Sequence, residues 1–341
     1  MSKNMFNLFN HSPVIIAEIG GNFKNFEEAK LLIDSAMNAG ADCVKLQHFR
    51  AETLATKKAM FDMENTGKIS QFDYFKEHEL SEELTTRIFQ YCKEKNILIF
   101  STPSHPTDVD FLEKYDVLVH KIGSDDATNI PLLKHVARTQ KIVLLSTGMC
   151  TMTEVQRSVD SILEEGNDKI VLFHCTTNYP THPESVNLNA MISMQKQFGN
   201  IPVGYSDHTL GIDTCYVATI LGAKVLEFHF TYDKNAEGPD HMLSKEPNEV
   251  FELVRKIRQL PILLGDGIKR PAKSEMNTRR NNRKSLVLTS DIKKGEKISP
   301  LNMDIKRPGY GISCEYYFDV IGKTASKDLE ADNVLIWEDI Y

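Results

Sequence analysis

Short apolar runs rich in β-branched and aromatic residues recur along the first two-thirds of the chain, at 14–19, 43–47, 97–102, 119–124, 142–147, 170–176, 203–207 and 225–230. Between them the apolar positions take a helical period. Ala29, Ile33, Ala36 and Met37 mark one stripe, Leu84, Ile88, Tyr91 and Cys92 a second, and Val155, Val159, Ile162 and Leu163 a third; Val250, Val254 and Ile257 mark the last. Thr151 and Glu154 have the spacing of a capping box that opens the third helix. Strands alternating with helices predict a parallel sheet with crossover connections. Eight of them in a segment ending near residue 262 match a closed (β/α)8 TIM barrel. A doubly wound open sheet is the alternative, but no GxGxxG follows any strand.

Two stretches break this rhythm. Residues 49–80 form a long polar connection after the second strand, which reads as a lid over the strand ends. From 263 to 284 the periodicity fades around Gly265, Gly267, Pro271 and the basic run Arg279-Arg280-Asn281-Asn282-Arg283-Lys284, which reads as an exposed linker, with Pro261 just before it. Residues 285–341 then alternate short apolar segments with turn signals and predict a small β-rich module, in which the stretch from Asp291 to Ile298 loosely echoes that from Asp328 to Leu335. So small a module has a thin core and is expected to pack against a barrel.

In a barrel the chemistry gathers where strands end and βα loops begin. Those ends carry Glu18, Lys45 and Gln47, Ser101 and Thr102, Lys121 and Ser124, Ser146 and Thr147, Thr176 and Thr177, Ser206 and His208, and His229. A hydroxyl at one strand end is ordinarily a cap or a solvated terminus. Lys45 and Lys121 differ, because each interrupts an apolar run and either points into the barrel mouth or is costly to bury. Two cations among hydroxyls and glycine-flanked amides suit phosphate and carboxylate. On neighbouring strands, His208 and His229 reach one small volume where a metal fits; each alone would more simply be a hydrogen-bonded histidine.

Across 341 residues the formal net charge is −7, which argues against general nucleic-acid or anionic-membrane binding. No apolar run approaches the ~20 residues that span a bilayer, and the opening Met1-Ser2-Lys3-Asn4-Met5-Phe6-Asn7 lacks the apolar centre of a signal peptide. The six cysteines form no CxxC pair and point to a reducing cytoplasm.

Taken in order, Glu18-Ile19-Gly20-Gly21-Asn22, Lys45-Leu46-Gln47, Phe100-Ser101-Thr102-Pro103, Lys121-Ile122-Gly123-Ser124, Leu145-Ser146-Thr147-Gly148-Met149, His174-Cys175-Thr176, Tyr179-Pro180-Thr181, Gly204-Tyr205-Ser206-Asp207-His208-Thr209, His229-Phe230-Thr231 and Gly238-Pro239-Asp240-His241 closely resemble the bacterial sialic-acid (nonulosonate) synthase family. Lys306-Arg307-Pro308-Gly309 resembles its C-terminal antifreeze-protein-like (SAF) domain. The resemblance implies condensation of phosphoenolpyruvate with an N-acetylated hexosamine, such as N-acetylmannosamine or a diacetamido-dideoxy hexose, to a nine-carbon 2-keto acid and phosphate. It implies a divalent metal, Mn or Mg, on His208 and His229, and a domain-swapped homodimer. Lys45, Thr102, Lys121, Ser124, Ser146, Thr177 and Ser206 map onto phosphoenolpyruvate contacts. Gln47, Asp126, Tyr179, Asp240 and Arg307 map onto sugar contacts, with Arg307 acting from the neighbouring subunit. Glu18, Lys45 and Lys121 are the catalytic candidates, although Glu18 could be a simple ion-pair partner of Lys45 and Arg307 an ordinary turn arginine.

The chain departs from the family pattern at Phe23, Asp125-Asp126, Thr177-Asn178 and Phe228, which bears on the identity of the sugar. Two other readings stay open. One is a Schiff-base aldolase using Lys121 or Lys45, which leaves the histidines idle. The other is a non-enzymatic polysaccharide-binding or antifreeze-like module, which leaves the whole polar constellation idle.

Overall fold

A computed structural model describes residues 13–63, 67–236, 238 and 240–341. The reading of the N-terminal residues and of Pro239 therefore lies outside the described residues. Eight parallel strands close into a barrel: β1 (Val14–Glu18), β2 (Cys43–His48), β5 (Leu98–Pro103), β6 (Val119–Ile122), β7 (Ile142–Ser146), β8 (Ile170–Cys175), β9 (Val203–Asp207) and β10 (Val225–His229). The first and last strands pair, Val14 with Val225 through Glu18 with His229, so the sheet has no free edge and the open doubly wound alternative falls.

Local signals set the helices. Asn25 caps Phe26–Ala39 by accepting from the Glu28 amide, and Gly40, at φ 96°, ends it. Ser81 caps Glu82–Lys95 in the same way. The Thr151 and Glu154 capping box forms in both directions. Each helix turns its apolar stripe onto the outside of the strands, where Ala29, Ile33, Ile88, Val159 and Val250 share one buried layer. Leu163 is the exception, being 44% exposed at the end of its helix.

Inside the barrel, alternation along each strand sorts side chains by height. Ile16, Cys43, Phe100, Val119, Ile142, Leu144, Val171, Phe173 and Val225 form a separate apolar plug. The residues two further along most of these strands are polar: Glu18, Lys45, Thr102, Lys121, Ser146, Cys175 and Glu227. Gly204 leaves the room the plug needs, since a Cβ there would come 2.5 Å from the Val225 carbonyl oxygen and 3.2 Å from the Phe173 ring.

In the connection read as a lid, at 49–80, the described residues form a folded element. It contains a short helix (Ala51–Leu54), an antiparallel hairpin of β3 (Met60–Met63) and β4 (Gly67–Ser70), and a helix (Gln71–His78). Edge-to-face rings hold it together: Phe61 packs on Tyr74 and Phe75, and Phe75 on Phe49.

The chain divides into two compact units after Leu264. Helix Pro247–Leu264 carries Pro261 in its last turn, so the sequence boundary at 262 falls inside a helix. A proline so near the end removes one hydrogen bond without cutting a long helix. The basic run read as linker is itself helical over Met276–Asn282.

In the C-terminal unit the regular strands are β11 (Ser285–Leu288) and β12 (Met303–Lys306), and isolated bridges make the other sheet-like contacts among the described residues. Its echoing segments pair with each other. Ile292 and Leu329 exchange backbone hydrogen bonds of 2.9 and 3.0 Å. Asp291 accepts from the Ala331 amide and Asp328 from the Lys294 amide, each at 2.8 Å.

Candidate active site

At the ends of the barrel strands lies a cavity of about 560 Å³. Its floor is an ionic cluster. Lys45 pairs with Glu18, donates to Thr102 Oγ1 at 2.9 Å and stands 3.9 Å from Glu227. Lys121 donates to Ser146 Oγ at 2.6 Å and lies 3.5 Å from the same Glu227. Ser206 donates to Glu227 at 3.4 Å. Thus two buried ammonium groups face two buried carboxylates.

Burial pushes the Glu18 carboxyl up to about 7, against the pull of Lys45. Burial also opposes the Lys45 charge, but Glu18 and Glu227 outweigh it and the net direction is up. One partner thus favours a permanent ion pair and the other a proton exchanged near neutrality. Both hold together, because Lys45 keeps Glu227 as a counter-ion when Glu18 is protonated. For Glu227 burial acts upward, but Lys121 and Lys45 prevail and its pKa is lowered. Burial pushes the Lys121 amine down.

On one side Ser124, Gly148 and Thr177 form a small cradle. The Gly148 amide donates to Ser124 Oγ at 3.0 Å, and a Cβ at Gly148 would lie 2.7 Å from that oxygen and 2.8 Å from the Thr177 methyl, filling the cradle.

The two imidazoles also meet in this cavity, ring centroids 5.4 Å apart, with the Tyr179 ring 4.2 Å from His208 and 5.9 Å from His229. His208 Nδ1 donates to the Thr176 carbonyl at 2.8 Å, which leaves Nε2 free to coordinate. His229 is held neutral, with its pKa well below the usual range, by burial and then by His208. Its buried Nδ1 has no hydrogen-bond partner and lies 3.4 Å from Asp240 Oδ2. An orphaned imidazole nitrogen beside a carboxylate and a second imidazole fits a divalent cation with open positions. Among the described residues no three His, Cys, Asp or Glu side chains cluster at ligand spacing, so the imidazoles would be the principal protein ligands.

Of the sequence candidates, Glu18, Lys45, Gln47, Thr102, Lys121, Ser124, Ser146, Thr177, Tyr179, Ser206, His208, His229 and Asp240 all line this cavity. Asp126 does not. Its carboxylate accepts from Asn129 Nδ2 at 2.8 Å within the turn that starts the next helix, and Asp125 is the residue that faces the cavity. Arg307 belongs to the C-terminal unit. Phe23 and Phe228 sit in the outer apolar layer and do not reach the site.

Sequence reasoning put Glu227 on one strand face with His229, two residues on, but gave it no role. The connection read as a lid does line the cavity, but sequence reasoning did not single out the residues it contributes, Phe49, Leu54, Met60, Phe61, Tyr74 and Phe75. The alternation of Phe61, Asp62 and Met63 in the sequence was the signal for the first strand of the hairpin.

The NeuB family model matches residues 32–269 and the SAF domain model residues 283–340. The N,N'-diacetyllegionaminic acid synthase of Campylobacter jejuni subsp. jejuni serotype O:2 is 41% identical over 94% of this chain and 98% of its own. That of Legionella pneumophila subsp. pneumophila is 40% identical over 96% and 94%. Among solved structures, the N-acetylneuraminic acid (sialic acid) synthetase of Leptospira borgpetersenii serovar Hardjo-bovis, in complex with citrate, superposes with a TM-score of 0.68 at 30% identity, covering 79% of this chain and 90% of that one. A barrel that gathers two lysines, two carboxylates and a histidine pair at its mouth, followed by a SAF domain, therefore belongs to the NeuB family.

Proposed function

We propose that this protein condenses phosphoenolpyruvate with the open-chain aldehyde of an N-acetylated hexosamine, forming a nine-carbon 2-keto acid and releasing phosphate. The observation that carries the reading is the cavity itself, in which a two-lysine floor, a hydroxyl and amide cradle and a buried imidazole pair share one volume. Lys45, Lys121, Thr102, Ser146 and the Ser124-Gly148-Thr177 cradle hold the phosphate and carboxylate still, so that the enol carbon meets the aldehyde carbon. Glu18, protonated below about 7, holds its proton on the carboxyl near the floor and gives it to the aldehyde oxygen as the carbon–carbon bond forms. Water adds to the cationic carbon left on the former enol, and the resulting tetrahedral carbon expels phosphate, leaving the ketone. A manganese or magnesium ion on His208 and His229 would supply Lewis-acid polarisation of the aldehyde.

The acceptor is an unphosphorylated diacetamido-dideoxy hexose. An apolar wall of Phe49, Leu54, Met60, Phe61 and Phe75 suits acetamido and deoxy methyl groups, while Asp62, Asp125 and Asp240 around it repel a sugar phosphate. The names of the two legionaminic acid synthases support the same choice. The folded connection at 49–80 covers this part of the cavity, and Arg307 of a second copy completes the sugar site in a domain-swapped dimer. No described helix is long and apolar enough to cross a membrane and all six cysteines are free, which supports work in the cytoplasm.

The experiment is an acceptor panel of N-acetylmannosamine, its 6-phosphate and the diacetamido-trideoxy hexoses, with phosphoenolpyruvate and Mn2+, read by phosphate release and product mass. No phosphate release with any acceptor would end the proposal. The depressed Lys121 amine favours one second reading, a Schiff-base aldolase, and a borohydride-trapped adduct on Lys121 would establish it.

A further inference from the structure

Lys245 lies outside the cavity, yet it is 1% exposed and its charge is fully enclosed. Its ammonium pairs with Asp207 Oδ2 at 2.7 Å and donates to the carbonyls of Gly211 and Thr209 at 2.5 and 3.4 Å. Asp207 is equally enclosed and its acceptors are filled. Oδ1 takes the Tyr205 hydroxyl at 3.1 Å and the Thr209 amide at 3.0 Å, and Oδ2 also takes the Cys215 thiol at 3.2 Å. The backbone of Lys245 binds the neighbouring strand: its amide donates to the His229 carbonyl at 2.8 Å and its carbonyl accepts from Thr231 at 3.1 Å. One residue therefore grips the segment around His208, through the residues on either side of it, and the main chain of His229 itself.

A buried ion pair is poor value as a source of stability, since an apolar pair of similar volume often serves as well. What apolar packing does not supply is direction. Three oxygens converging on one ammonium fix the loop at 207–211 against the end of β10, and a metal site tolerates little error in the separation and tilt of its ligands.

We infer that Lys245 is a positioning residue that sets the mutual placement of His208 and His229, acting through Asp207 on one side and through its own backbone on the other, and so tunes affinity for the divalent cation. This rests on the metal reading given above.

The test uses the full-length protein and Mn2+ alone as the probe, with bound ion measured by electron paramagnetic resonance. Lys245→Met should weaken Mn2+ binding at least tenfold and lower the melting temperature, because Asp207 is left buried and unpaired. The double variant Asp207→Leu with Lys245→Met removes both charges. It should recover most of the melting temperature while keeping the tenfold loss in Mn2+ affinity, with kcat reduced and the KM for phosphoenolpyruvate within twofold of the parent. A role in stability alone would instead restore Mn2+ binding in the double variant, and that result overturns the inference. A third measurement needs no variant: Mn2+ should slow hydrogen exchange at the Lys245 and Thr209 amides of the parent protein, and no slowing counts against the inference. If the parent condenses its substrates while binding no Mn2+ at millimolar concentration, the metal reading itself fails, and this inference with it.

Discussion

Glu18 and His229 face each other in register across β1 and β10, so the carboxyl with the raised pKa and the neutral imidazole end their strands at the same height in the barrel mouth. Glu18 is also in register with Lys45 on its other side. A single strand end therefore couples the cationic floor to the imidazole pair, and the state of one proton affects both.

That coupling gives a pH dependence of known sign. Above about 7, Glu18 is ionised, competes with substrate anions for Lys45 and has no proton to give; below, it is protonated and Lys45 is available. The value of kcat/KM for phosphoenolpyruvate should fall as pH rises through about 7. Glu18→Gln should flatten that limb and cost ~10²-fold or more in kcat. A limb at the same pH in the variant would remove Glu18 from this role.

Chelation should abolish turnover and Mn2+ should restore it. His208→Ala should lose metal-dependent turnover with its circular dichroism spectrum and melting curve near those of the parent, because the change removes the Nδ1 bond to the Thr176 carbonyl, a long contact to Cys175 Sγ and the Tyr179 ring contact, and leaves the strands of the barrel as they are. Unchanged activity in His208→Ala would discard the metal assignment.

Lys121→Met keeps the bulk of the side chain and deletes its charge. It should raise the KM for phosphoenolpyruvate and lower kcat by a combined ~10²–10³-fold, leaving the acceptor KM nearly unaltered. Glu227, which loses one of its two cations, should also bind protons more readily in this variant.

Phe61→Ala opens the aromatic wall without touching the floor. The acceptor KM should rise roughly tenfold while the KM for phosphoenolpyruvate stays put, as measured by phosphate release at fixed saturating levels of the other substrate. Equal effects on both would show that the hairpin does not face the sugar.

Arg307→Ala should act on the acceptor in the same selective way, and light scattering should report a dimer for parent and variant alike. A monomeric parent with full activity would refute the shared site.

The barrel was legible because its two periods are unambiguous: alternate positions sort plug from polar layer, and helical stripes such as Ala29, Ile33 and Ala36 cover the strands. The floor was legible for a related reason, as a lysine in an apolar strand has few inexpensive places to go. Asp126 was misplaced because two adjacent carboxylates in a tight turn point in different directions, and sequence alone does not say which one Asn129 takes. The hairpin was hidden by short strands joined through polar residues, and its aromatic contacts arise between residues that only folding brings together.

The barrel closes by pairing its earliest strand with its latest, more than two hundred residues downstream. Non-local closure of this kind forms slowly. During synthesis Glu18 leaves the ribosome long before its companion at 229 exists, so no partial barrel can possess a complete reaction centre. The reaction centre at the barrel mouth is assembled only once the ends of the ring meet.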